Sequence, residues 1–194
     1  TLVVASTHGF ARLEYDVYCN EWLEREGWLS YGDDDHDALA DAAGDTRAYS
    51  LVPGRFYLNV EGREPNGSIS EADYESVRAD LTADLEAWEG PNGDPVVDRV
   101  IERETAFRGD HDDIAPDLVA IPHPGFDLKA GFRPRDRVFD ATGPPTGMHA
   151  FDTPGPFIDA AAATAADADL PHVAPTVLPP LDPEHARPHY PRAA

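Results

Sequence analysis

Apolar residues in this chain fall into short runs and periodic stripes, separated by polar stretches rich in glycine and proline. The first run, Leu2-Val3-Val4-Ala5, turns polar at once in Ser6-Thr7-His8-Gly9-Phe10, the pattern of a buried strand entering a loop. His8 would then sit at the strand's carboxyl end, where ligands gather in open α/β sheets. Tyr15, Tyr18, Trp22 and Leu23 recur at near-helical spacing until Gly27 and Gly32, which predicts a short amphipathic helix, and Ala38 to Ala43 predicts further helix. Phe56 to Val60 is β-prone between Gly54 and Gly62 and should run into the loop Glu61-Gly62-Arg63-Glu64-Pro65. Ser70, with Asp73 in the capping-box position, opens the clearest helix, whose buried stripe is Tyr74, Val77, Leu81, Leu85 and Trp88. Gly90-Pro91-Asn92-Gly93 ends it.

Val96 to Glu104 mixes β-branched and charged residues, and Pro116 to Pro122 reads as a second buried strand bracketed by prolines. Gly125-Phe126-Asp127 reads as a turn. Arg137-Val138-Phe139 predicts a short strand before a loop of Gly, Pro and Thr that carries Gly147-Met148-His149-Ala150. Ala160 to Ala168 predicts helix. From Pro171 onward recurring prolines leave room for one helical turn near Val173 to Leu178, and residues 181–194 are expected to form a disordered tail. Strands alternating with helices predict an α/β fold, a mostly parallel sheet flanked by helices.

Charge sharpens this picture. There are 37 acidic residues against 15 basic ones, a formal net charge of -22, and Lys129 is the sole lysine. An acidic surface with arginine favoured over lysine suits a cytoplasm of high salt, where the Debye length shrinks to about 3 Å at 1 M. It argues against binding a nucleic-acid duplex, whose phosphates it would repel. The run Asp33-Asp34-Asp35-His36-Asp37 lacks the glycine turn and distal glutamate of a calcium loop and reads as a solvated face. The single cysteine, Cys19, excludes an intramolecular disulfide framework, and no apolar run approaches the ~20 residues of a membrane span. The only methionine is Met148, so the chain is expected to be processed or cut from something longer.

Two histidines in ligand-holding loops, His8 and His149, are the candidate metal ligands, since imidazole binds zinc through a neutral nitrogen. Their spacing does not say whether they converge. The motifs around them do suggest a common context. Ser6-Thr7-His8-Gly9, Tyr18-Cys19-Asn20-Glu21-Trp22-Leu23, Asn59-Val60-Glu61-Gly62-Arg63-Glu64-Pro65, Ala115-Pro116-Asp117-Leu118-Val119, Gly147-Met148-His149 and Ala174-Pro175-Thr176-Val177-Leu178 stand in that order. In that order they resemble the type I phosphodiesterase/nucleotide pyrophosphatase family of the alkaline phosphatase superfamily.

The resemblance implies that residues 1–180 are the C-terminal portion of an alkaline-phosphatase-like domain, with a partial sheet of that kind. It implies a site of two divalent metal ions, zinc by type, in which His8 binds the ion that also holds the nucleophile and His149 binds the other. The substrate would be a phosphodiester or nucleotide-like small molecule, attacked by a serine or threonine alkoxide. Two departures qualify this. Thr7 stands where the family has an aspartate ligand, and the family's nucleophile and other ligands lie upstream of the segment matched here. The chain is therefore expected to carry no catalytic residue, to be inactive alone, and to need a complementary N-terminal half. Asp152 is a weak substitute ligand beside a solvent-facing alternative. Arg63 is offered as a phosphate contact, with a structural Arg63-Glu64 turn as its equal rival. A non-catalytic relic serving as a binding or interaction module is the other reading of the whole.

Overall fold

The computed structural model describes residues 2–4, 8–33, 35–150 and 157–159. In chain order the elements are β1 (Leu2–Val4), β2 (Gly9–Tyr18), α1 (Cys19–Arg25), β3 (Ala48–Val52), β4 (Arg55–Leu58), α2 (Tyr74–Glu86), β5 (Val97–Glu102), α3 (Arg103–Ala106), β6 (Leu118–Pro122), β7 (Phe126–Lys129), β8 (Phe139–Ala150) and β9 (Phe157–Asp159). Two compact units divide the chain, residues 12–148 and residues 1–11 with 149–194.

In the first unit a four-stranded sheet runs in the order β3-β4-β6-β5. All of its pairings are antiparallel, which corrects the expectation of a mostly parallel sheet. The reason lies in one insertion. Since β6 is antiparallel to both β4 and β5, those two strands run in the same sense, and α2 connects them as a crossover helix should. The alternation legible in the sequence is thus a genuine β-helix-β unit, split by a later strand that enters between its two members. A second sheet has the order β7-β2-β8, with β2 and β7 parallel.

The core forms between the sheet and the helices. Phe56, Leu58 and Leu118 are fully buried, as are Leu81 and Leu85 of α2, and Val77 and Tyr74 pack partly buried against them. Trp22 and Trp88 stack with ring centroids 4.3 Å apart. The tight β3–β4 connection depends on Gly54, whose φ is 69° and whose absent Cβ would lie 2.8 Å from the Ala120 carbonyl oxygen, so no L side chain fits there.

Several expectations are corrected. Tyr15 and Tyr18 lie on strand β2, and the helix begins only at Cys19. From Gly9 to Tyr15 half-buried positions alternate with exposed ones along β2, the period-2 signal that the aromatic spacing obscured. Between Ala38 and Ala43 the helix amounts to one 3-10 turn at Leu39–Asp41. Helix α2 starts at Tyr74 because Ser70 builds a separate turn first: its hydroxyl donates to Asp73 Oδ2 at 2.6 Å and accepts from Asp73 N at 3.3 Å. The segment read as a Gly- and Pro-rich loop is strand β8, at the edge of its sheet, where prolines lacking an N–H are tolerated.

The β2–β7 register sets Asp16 directly opposite Asp127. Like charges in that position repel. Lys129 answers both, pairing with Asp16 at 3.2 Å and with Asp127. Those two contacts outweigh the opposing effect of partial burial and raise the pKa of its ammonium.

In the second unit β1 and β9 form an antiparallel pair, Leu2 opposite Asp159, and among the described residues β9 is the one strand paired with the opening strand. The helix expected at Ala160 to Ala168, the turn at Val173 to Leu178, the tail from Pro171 and Asp152 all lie outside the described residues. Among the described residues no helix is long and apolar enough to cross a membrane.

Candidate functional site

His8 immediately precedes β2, and His149 is the penultimate residue of β8. The structure brings the two together: their rings stack with centroids 3.5 Å apart and planes 15° from parallel. His8 Nδ1 lies 2.9 Å from the Gly9 carbonyl oxygen. A carbonyl only accepts, so Nδ1 donates its proton to it. Phe10 stands beside both, 5.5 Å from His8 and 5.7 Å from His149 between centroids.

This geometry constrains metal binding. An ion held by an imidazole lies in the ring plane, along the nitrogen lone pair. Two rings stacked face to face have no common in-plane point close to both, so this arrangement does not chelate one ion. A structural or catalytic zinc takes three or four protein ligands. Among the described residues no group of three or more His, Cys, Asp or Glu side chains converges. The pair therefore fits zinc in the kind of donor it supplies and falls short in number.

Most of the other polar motif residues turn inward. Arg63 donates from Nη1 to Asp117 Oδ1 at 2.8 Å and from Nη2 to Asp117 Oδ2 at 2.7 Å, a bidentate pair. Its Nη2 also donates to the Leu58 carbonyl at 2.6 Å, and its Nε to Glu64 at 2.8 Å. Glu64 in turn accepts from the Val60 N–H at 2.8 Å, so Arg63 and Glu64 together close the turn after β4. The guanidinium put forward as a phosphate contact is thus held by the chain's own carboxylates.

Asp117 is the centre of this group and is fully buried. Besides Arg63 it accepts from the Leu58 N–H at 2.7 Å and the Tyr74 hydroxyl at 2.7 Å, and Arg103 Nη1 lies 3.3 Å away. Burial alone would raise its pKa, but the Arg63 hydrogen bonds, the Leu58 N–H and the Tyr74 hydroxyl outweigh that and hold it below the ordinary carboxyl value. Desolvation and the neighbouring Asp117 push the Tyr74 phenol up to about 12.

A carboxyl with a lower pKa folded than unfolded adds stability that is fully present above its unfolded value, about 3.9, and is lost as pH falls through the folded value. Denaturant midpoints followed by circular dichroism should therefore fall steeply below about pH 4. Asp117→Asn should flatten that limb. An unchanged acid limb in the variant would mean that another group titrates there.

Asn20 and Asn59 play a comparable part for the backbone. The Asn20 amide donates to the Ser50 carbonyl at 2.9 Å and the Gly131 carbonyl at 2.8 Å, while its oxygen accepts from the Ser50 N–H at 2.8 Å. It pairs with Ser50 as a neighbouring strand would, along the outer edge of β3. Asn59 ties Thr46 to Asn66, donating to both carbonyls. Sequence reasoning placed Tyr74 only in the apolar stripe of its helix, counted Asp117, Asn20 and Asn59 only as members of motifs, and assigned no role to Arg103. One signal was available for Asp117: a carboxylate inside the apolar run Pro116 to Pro122 needs a cationic partner.

Compared with known families, residues 1–152 match the model for Type I phosphodiesterase / nucleotide pyrophosphatase. No curated protein and no solved structure matches the chain.

Proposed function

Because the chain belongs to the type I phosphodiesterase/nucleotide pyrophosphatase family, we propose that it is part of a metal-dependent hydrolase acting on a phosphodiester or nucleotide-like small molecule. His8 and His149 each give one imidazole nitrogen to a separate divalent ion, zinc by the chemistry of the donors. The observation that supports this reading is the stack of these two histidines, remote in sequence, within one compact unit. Ions bound there would polarise phosphoryl oxygens and lower the pKa of bound water. The chain's own contribution is narrower: the Gly9 carbonyl holds the His8 ring through Nδ1–H and so sets its orientation.

The remaining ligands and the nucleophile come from outside the described residues, and Thr7, a neutral hydroxyl in place of an aspartate, weakens the centre. Turnover by these 194 residues alone is not expected. The net charge of -22 supports a high-salt cytoplasm as the setting.

Metal content by mass spectrometry, with hydrolysis of bis(p-nitrophenyl) phosphate measured in added zinc, tests the proposal. Zinc should bind and should be weakened about tenfold or more by His8→Ala and by His149→Ala, since even outer partners of zinc ligands matter on that scale. Zinc binding indifferent to both substitutions would remove the site, and robust turnover by the chain alone would remove the claim of inactivity. The substitution at Thr7 favours a second reading, a non-catalytic binding module, which phosphonate binding that persists in a chelator would identify.

A further inference from the structure

Beside the turn that Arg63 and Glu64 close lies a cleft of about 380 Å³, a volume that small-molecule sites commonly have. Leu39, Ala42 and Ala43, from the 3-10 turn and the residues after it, give it aliphatic walls. Its polar lining includes Tyr49, Asn59 and Glu64. Tyr49 and Asn59 are buried, 4% and 7% exposed, and their side-chain donors are spent within the protein. Asn59 Nδ2 donates to the Thr46 and Asn66 carbonyls at 2.8 and 2.9 Å, and the Tyr49 hydroxyl donates to Glu64 Oε1 at 3.3 Å. Because both carbonyls only accept, these bonds fix which end of the Asn59 amide is the oxygen. No donor among the described residues meets that oxygen, and it is left to whatever occupies the cleft.

We infer that this cleft binds a small primary ammonium ion carried on an apolar body, with its N–H donors on Asn59 Oδ1, the Glu64 carboxylate and the Tyr49 hydroxyl oxygen. The site involves neither His8 nor His149. Charge supports the assignment. The ion-paired group to which Glu64 belongs sets Arg63, Arg78 and Arg103 against Glu64, Asp117, Glu75, Glu102 and Glu104, so negative charge is in excess there. Hydrogen bonding selects within the cations. An ammonium leaving water needs a carboxylate and acceptors for its three hydrogens, and the lining supplies acceptors of that number. A quaternary ammonium brings the same charge with no N–H for Asn59. An alcohol brings one donor and no charge, and an anion would face Glu64. The aliphatic walls give the ligand's hydrocarbon a surface to cover.

The test titrates the full 194-residue chain with benzylammonium, benzyltrimethylammonium and benzyl alcohol, which share one apolar body, and follows backbone amides by 1H–15N NMR. Benzylammonium should bind about tenfold more tightly than either of the others, the scale of one charge-assisted hydrogen bond, and should shift the amides of Ala42, Ala43 and Asn66. Glu64→Gln should weaken benzylammonium about tenfold and leave benzyl alcohol unchanged. Glu64 also helps to close its turn, so where this variant loses its folded spectrum the three-ligand comparison on the wild-type chain decides alone. Equal affinity for benzylammonium and benzyltrimethylammonium would mean only a general attraction of cations to an acidic protein, and overturns the site. So does an absence of binding, or shifts confined to residues outside 39–66.

Discussion

Asp117→Asn should lower the stability of the fold by about 3–5 kcal/mol, the scale on which a buried ion pair fails when one partner is removed. The change is nearly isosteric, so the loss measures chemistry and not volume. Every group that meets the Asp117 carboxylate is a donor: the Arg63 guanidinium, the Leu58 N–H, the Tyr74 hydroxyl and Arg103. An asparagine would present its amide hydrogens to some of these donors and leave the Arg63 charge without its buried counter-ion. Urea unfolding at pH 7 measures the difference. Pairing Asp117→Leu with Arg63→Met should recover part of the loss, because the two desolvated charges then disappear together. Recovery should be partial, since the Leu58 N–H and Tyr74 hydroxyl still lose their acceptor. A loss below about 1 kcal/mol in Asp117→Asn would show that the cluster contributes no more than an ordinary surface pair.

Asn20→Asp should be comparably damaging, about 3–4 kcal/mol at pH 7, on the scale of a buried charge without a partner. Asn20 is buried, and its two amide hydrogens point at the carbonyl oxygens of Ser50 and Gly131. A carboxylate there would set negative oxygen against both. Asn20→Ala, which only deletes the hydrogen bonds, should be milder, about 1–3 kcal/mol. Acid separates the two. The introduced carboxyl would have a raised pKa in the folded state, so its penalty against wild type should shrink as pH falls from 7 toward 5, while the penalty for alanine stays constant over that range. If the aspartate variant is no worse than the alanine variant at pH 7, the two carbonyls are not held against the side chain.

What the sequence disclosed followed from signals that are local. Strand β4 alternates between partly and fully buried positions, and α2 repeats its apolar residues at helical spacing through Leu81 and Leu85, so both elements were readable from short windows. Strand β6 was readable as a buried run between prolines. Sheet direction was not, because it depends on β6 entering between β4 and β5, a pairing that no local window contains. Strand β8 was hidden by Gly143 and its neighbouring prolines, which a sheet interior would reject and an edge accepts. For the candidate site, the resemblance drew attention to His8 and His149, and their face-to-face geometry came only from the fold. Arg63 was conspicuous as a cation in a polar loop, yet its partner Asp117 lies 54 residues away in the chain and fixes what it can do.

The position of the single lysine gives this molecule an unusual chemical vulnerability. Acylating reagents and enzymes that modify side-chain amines have one ε-amino group to find, and it is the ammonium that separates Asp16 from Asp127 across two strands. Neutralising it would leave two opposed carboxylates with no cation between them, so one covalent event would convert a stabilised strand pairing into a repulsive one.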